Sequence, residues 1–197
     1  RDVFEKVKRP YLFKQKKMQL FIAQKKGDLV KLAPDAYGTP GDLHYYFIHS
    51  YNCVYECQYC YLQGHFNSPD LVFFVNHEEI GSEIQSLIDK TPSNLTPWFH
   101  AGEFSDSLAM GHISGEIPFY FELFRKNPRA LLELRTKSNN LQALKGLSPL
   151  DNIISSFSLA PAEEILLIED KTPGIKKRLE AIKKLHERGF PIGIHFD

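Results

Sequence analysis

The sequence predicts an α/β fold built on a parallel β-sheet, and three observations carry that prediction. Short apolar or aromatic runs alternate with stretches of helical period, so the order β-α repeats along the chain. Apolar residues make up 43% of the 197, enough for doubly buried strands and too many for a disordered chain. No apolar run approaches the roughly 18 residues that cross a bilayer, and the opening RDVFEKVKRP lacks the apolar stretch of a secretory signal. A cytoplasmic protein with no membrane partner is the expectation.

The elements follow in order. His44–Ser50 (HYYFIHS) is a strand-like run that leads into a cysteine-rich loop, and Leu71–Val75 (LVFFV) is a second. Asn76, with Glu79 three residues on, has the form of a capping box before Ile80, Ile84, Leu87 and Ile88 at helical spacing. Thr96–Ala101 (TPWFHA) is a strand with Pro97 confined to its start. Ile117–Arg125 is helical, Pro118 being tolerated in a first turn. Ala130–Thr136 is the next strand, Asn139–Leu147 a short helix and Ile153–Leu159 (IISSFSL) another strand. A helix from Pro173 to Arg188 is capped by Thr172, has Pro173 at its first position, presents Ile175, Leu179, Ile182 and Leu185, and stops at Gly189. Phe190–Phe196 is the last strand. Right-handed crossovers connect such strands in parallel. An apolar strand at the end of the sequence leaves an edge uncovered, so at least one further βα unit is expected to be missing.

Charge is uneven. Lys+Arg 24 and Asp+Glu 24 cancel overall, yet residues 1–31 hold ten basic and three acidic side chains. Such a stretch tracks phosphates or is simply solvated, which keeps DNA as a candidate partner. Residues 1–40 are read as a basic appendage and 41–197 as one domain.

All three cysteines, Cys53, Cys57 and Cys60, fall in one loop, C-V-Y-E-C-Q-Y-C. A tight odd set is no disulfide framework; it indicates metal or redox chemistry. Three thiolates suit zinc with a fourth ligand, for which His65 is nearby, or an iron–sulfur cluster with one iron left open. The zinc alternative makes the chain a nucleic-acid-binding module, with Tyr55, Tyr59, Tyr61 and Phe66 available for stacking. A ferredoxin-like electron carrier would ligate every iron.

The C-x3-C-x2-C spacing, with Tyr59 before the last cysteine, resembles the radical S-adenosylmethionine (SAM) superfamily. The match runs further. C-Q-Y-C-Y-L-Q at 57–63, Ser105-Asp106, Thr136-Lys137, Phe157-Ser158, Arg178 and the Gly189-Phe190-Pro191-Ile192-Gly193 run together resemble the spore photoproduct lyase family. The resemblance implies a partial (β/α) barrel of parallel strands, truncated at its C-terminus. It implies a [4Fe–4S] cluster on Cys53, Cys57 and Cys60 that cleaves SAM to a 5′-deoxyadenosyl radical, and a flavodoxin- or ferredoxin-like electron donor. Tyr59 is placed beside the adenine, Gly102, Glu103 and Ser105 at the SAM amino group, and Lys137 and Ser158 at its carboxylate or ribose. Tyr61 matches a catalytic tyrosine of the family's radical relay. Ordinary alternatives are an exposed Lys137, a helix-capping Glu103, a strand-ending Ser158, a loop-orienting Asp106 and an interior His100. One departure stands out: where the family carries a hydrogen-donating cysteine this sequence has Glu103, and no fourth cysteine exists. A carboxylate cannot donate a hydrogen atom as a thiol does, so the resemblance points to a family member with a substrate other than the thymine dimer.

Overall fold

The structure is a computed structural model that describes residues 18–34, 43–66 and 68–196; most of the basic stretch, residues 1–17, lies outside them. Its main sheet has six strands: β2 (Val30–Leu32), β3 (Leu43–Phe47), β7 (Pro97–Ala101), β8 (Leu131–Thr136), β9 (Ile153–Leu159) and β11 (Ile192–Phe196). Their spatial order is β11-β9-β8-β7-β3-β2. From β3 to β11 every pair is parallel, as expected. β2 departs from the all-parallel expectation, running antiparallel to β3. The connection between them is residues 33–42, shorter than the dozen or so residues that a parallel crossover takes.

Three of the four connections between the parallel strands carry a long helix on the outer face: α2 (His77–Lys90), α4 (Glu116–Arg125) and α6 (Ile175–Glu187). Ile80, Ile84 and Ile88 of α2, Tyr120, Phe121 and Phe124 of α4, and Ala181 and Leu185 of α6 pack onto Phe47, Phe99, Leu132, Leu134, Ile153 and Phe157. That cluster is the core. The opposite, inner face is polar: His44, His100, Glu133, Arg135, Ser156, Ser158 and His195 occupy the alternate positions. His195 Nε2 on β11 reaches Glu133 Oε1 on β8 at 2.6 Å, across the intervening β9. Side chains two strands apart meet in this way on the concave side of a curved sheet, so the sheet is a partial barrel.

The run LVFFV forms a strand, β6 (Leu71–Phe74), but outside the barrel sheet. It pairs with β1 (Leu20–Ala23) and with β4 (Ser50–Tyr51) in a separate three-stranded sheet. All four of its residues are buried, which is why it reads like a barrel strand. Asn76 does precede α2, but the box is rewired. Its Oδ1 accepts from Lys25 N at 2.7 Å, and its Nδ2 donates to Glu79 Oε2 at 2.8 Å. Asn76 therefore ties α2 to the chain after β1.

Two predicted helices are corrected. Residues 139–147 hold only a 3-10 turn, Gln142–Leu144. Ser138 Oγ accepts from Asn140 N and Asn140 Oδ1 from Gln142 N, local bonds that compete with a helix. α6 starts at Ile175 rather than Pro173, because Thr172 Oγ1 donates to Glu169 O and accepts from Arg178 Nη2 and so is not free to cap. Its inward stripe also shifts: Leu179 is 49% exposed, while Arg178 is fully buried. Gly189, at φ 83°, ends the helix in the left-handed conformation glycine favours. The remaining elements are α1 (Leu62–His65), α3 (Gly111–Ser114), α5 (Ala162–Ile168) and the short pair β5 (Glu56–Cys57) and β10 (Glu169–Asp170). Among the described residues no helix is long and apolar enough to cross a membrane.

Candidate functional site

Active-site groups of β/α barrels gather at the C-terminal ends of the parallel strands. The cysteine loop is brought there from β4. Asn52 takes a left-handed backbone (φ 65°), and its side-chain amide donates to Ser68 O and Asp70 O at 2.8 and 2.6 Å. Cys57 pairs with Glu169 where β5 meets β10, and Gln63 Nε2 holds Cys57 O. The loop is thus pinned from both sides before any ligand binds.

Cys53, Cys57 and Cys60 line one cleft of about 320 Å³. Tyr59 and Tyr61 come from the same loop, Gly102, Glu103 and Ser105 from the end of β7, Arg135 and Lys137 from β8, and Ser158 from β9. Every sequence-predicted site residue is therefore on one cavity wall. The volume falls in the range of small-molecule pockets.

Asp106 joins the two predicted residue pairs. Its Oδ1 accepts from Thr136 Oγ1 at 2.7 Å and from the amides of Leu108 and Ala109, and its Oδ2 accepts from Lys137 N at 2.8 Å. It orients the loops, as expected of it. Gly102 has φ +92°, and a Cβ there would lie 2.6 Å from Ser107 Oγ and 3.2 Å from Ser105 O. Only glycine lets the chain turn beneath the cleft at that point. Glu103 caps no helix, since α3 begins at Gly111; instead Tyr61 OH donates to Glu103 O at 2.5 Å and lies 3.2 Å from its Oε1. Ser105 Oγ lies 3.2 Å from His49 Nε2.

Two residues that the sequence did not single out support the site, Arg135 on the wall and Glu169 buried behind it. Arg135 Nε donates to Ser158 Oγ at 3.4 Å. Glu169 is a buried hub: Tyr59 OH donates to its Oε1 at 2.5 Å, Lys137 Nζ is 3.7 Å from the same oxygen, and Arg178 binds its Oε2. Lys137 also sits 5.6 Å over the Tyr59 ring and is mostly buried rather than an ordinary surface lysine. The alternation Glu133-x-Arg135 signals an inward Arg135, whereas nothing local marks Glu169. His100 is interior, bonded to Glu133 Oε2 and His44 Nδ1 at 2.5 and 2.8 Å.

All three thiols are free. Burial pushes each of them up, Cys57 to about 11 with the Glu169 carboxylate adding to the rise; Lys137 opposes it at Cys57 and Cys60. Such thiols give up their protons to a metal centre rather than to water. Among the described residues no three His, Cys, Asp or Glu side chains are gathered to hold a single metal ion. A zinc ion needs that convergence; an iron–sulfur cluster takes its thiolates around the rim of a larger body, which three cysteines on one cleft wall fit. His65, the fourth zinc ligand expected, stacks on Phe104 at 5.1 Å and meets Tyr61 and Phe66 edge-on instead. The zinc-stabilised module is not supported.

Comparison with known proteins agrees with this geometry. A family model described as spore photoproduct lyase matches residues 40–196. The chain belongs to the spore photoproduct lyase family. The family's curated member from Bacillus subtilis (strain 168) is 28% identical over 142 residues, 72% of this chain and 41% of that protein. The spore photoproduct lyase of Clostridium acetobutylicum is 25% identical over 142 residues, 72% of this chain and 42% of its own length. A solved spore photoproduct lyase mutant with bound AdoMet and dinucleoside spore photoproduct superposes with a TM-score of 0.77 at 22% identity, covering 89% of this chain and 50% of that one. The chain thus spans about two fifths of the length of these curated relatives. The fold they share is the partial barrel of parallel strands described above.

Proposed function

We propose that this chain is the SAM-cleaving core of a radical SAM enzyme. What supports the reading is one observation: three free cysteines on a cleft whose remaining wall comes from the ends of three successive parallel strands. Cys53, Cys57 and Cys60 hold a [4Fe–4S] cluster. When bound, that cluster supplies the electron, from a flavodoxin- or ferredoxin-like donor, that splits SAM into methionine and a 5′-deoxyadenosyl radical able to take a substrate hydrogen atom.

The chain's own side chains bind and orient. Ser105 and Glu103 present oxygens to an ammonium, and Glu103 adds a negative charge to that contact. Lys137, held by Glu169, offers its ammonium to a carboxylate, and Ser158, hydrogen-bonded to Arg135, faces the ribose. Tyr59 gives the adenine an aromatic edge whose position is set by its bond to Glu169. Tyr61 holds its phenolic proton against Glu103 at the mouth of the cleft, beside the substrate. The Glu103 position lacks a thiol, so the substrate is a hydrogen-bearing molecule other than the thymine dimer; the relatives' dinucleoside lesion keeps DNA in view.

The test is anaerobic reconstitution with iron and sulfide, then dithionite reduction with SAM. 5′-Deoxyadenosine should form, and should vanish in Cys57→Ala. A folded protein that retains zinc, takes up no iron and releases no 5′-deoxyadenosine overturns the reading.

A further inference from the structure

Behind Ser105 lies a buried chain of two further residues. His49 Nε2 is 3.2 Å from Ser105 Oγ, and its Nδ1 is 3.3 Å from Glu116 Oε1. His49 sits between β3 and β4, while Glu116 opens α4, where the positive end of the helix favours a carboxylate. Both are almost fully buried, 5% and 2% exposed. Burial works against the Glu116 charge, but its contact with His49 outweighs it and holds the carboxyl below its ordinary value. An ionised Glu116 only accepts. Ser50 Oγ, 3.4 Å from the same Nδ1, is a second available acceptor. With the imidazole neutral, Nδ1 of His49 carries the proton, Nε2 presents its lone pair, and the Ser105 hydroxyl donates inward to it. What Ser105 turns toward the cleft is its oxygen lone pairs alone.

Serine, histidine and glutamate in this order also form the nucleophile relay of hydrolases. Here four amides of the surrounding loop are already engaged within the protein rather than held for an oxyanion. The amide of Ser105 donates to Gly102 O, that of Ser107 to Arg135 O, and those of Leu108 and Ala109 to Asp106. The arrangement serves to polarise and orient one hydroxyl.

We propose that Glu116 and His49 are positioning residues that fix Ser105 as an acceptor-only group in the cleft, selecting a ligand with a cationic amine at that point. The proposal rests on the SAM reading above and names what makes its amine subsite. An ammonium has only donors to offer, and a hydroxyl free to rotate can turn its own proton toward the cleft; the relay removes that option.

The experiment is binding, read by calorimetry on the cluster-reconstituted protein without reductant, so that no turnover is involved. Two ligands are compared: SAM, and 5′-methylthioadenosine, which lacks the amino-acid portion. His49→Leu should weaken SAM about 10- to 100-fold, the scale of one hydrogen bond to a charged group, and leave 5′-methylthioadenosine unchanged. His49→Gln, whose amide can donate to Glu116 and accept from Ser105, should restore SAM to within about threefold, since it rebuilds the same donor order. On a Ser105→Ala background, His49→Leu should add nothing further, because the two act through one hydroxyl. Equal weakening of both ligands, an additive double variant, or no rescue by glutamine each overturns the relay. Failure of the unmodified protein to bind SAM while it binds a cluster overturns the SAM reading instead, and the relay's role with it.

Discussion

Arg178 is the side chain on which the cysteine loop and the residues proposed to face SAM depend together. It is fully buried and donates four hydrogen bonds: Nε to Pro173 O, Nη1 to Ser158 O, and Nη2 to Thr172 Oγ1 and Glu169 Oε2. Arg178→Met keeps the aliphatic bulk and removes the charge. It leaves Glu169, 4% exposed, with Lys137 at 3.7 Å as its remaining cationic partner. Removing one member of a buried pair costs about 3–5 kcal/mol. Lys137 offsets part of this, so we expect a loss of about 3 kcal/mol, a urea midpoint lower by about 1–2 M. Arg178→Met/Glu169→Leu removes both charges and should recover most of that loss, because desolvating an unpaired carboxylate is what the single variant suffers. Urea unfolding followed by circular dichroism measures both. A single-variant loss below about 1 kcal/mol, or a double variant as unstable as the summed singles, would refute the reasoning.

Three other outcomes are expected. Gly102→Ala should destabilise by about 2 kcal/mol or more, from the left-handed backbone and the 2.6 Å approach to Ser107 Oγ; an unchanged melting temperature contradicts the turn described. Burial opposes the Glu133 charge, but hydrogen bonds from His100, His195 and Ser156 prevail and hold its carboxyl at about 2, against an ordinary 4.5. A depressed carboxyl stabilises above its unfolded value, and that stability is lost as pH falls through the folded one. The stability gap between the native chain and Glu133→Gln should therefore shrink between pH 4.5 and about 2, and a gap constant over that window refutes the assignment. Lys137→Ala should weaken SAM binding while leaving iron content unchanged; parallel loss of both would make Lys137 a support for the cysteine loop, through Glu169, and not a ligand group.

The strands that position the site are legible because each carries its own signal. Pro97 starts a strand, IISSFSL is a strand throughout, and Gly189 closes a helix in the conformation only glycine adopts cheaply. Misreadings arise where a long-range partner overrides the local preference. Thr172 reads as a cap until Glu169 and Arg178 claim its hydroxyl. LVFFV reads as a barrel strand until β1 and β4 take it into another sheet. Leu179 and Arg178 exchange places because the buried Glu169 carboxylate needs a cationic partner, and Arg178 is the side chain of the helix that pairs with it.

Cysteine spacing and apolar period are local quantities, so the cysteine loop, the β-α order and the family are legible in the chain alone. The polar inner face, the hub at Glu169 and the His49–Glu116 contact behind Ser105 emerge only when the chain is folded. Each of these joins residues far apart in the chain, 56 between Ser105 and His49 and 110 between Tyr59 and Glu169. Hydrogen bonds at such separations leave no periodic trace. They exist because a curved parallel sheet brings the ends of separate strands to one mouth, where buried polar groups must find each other.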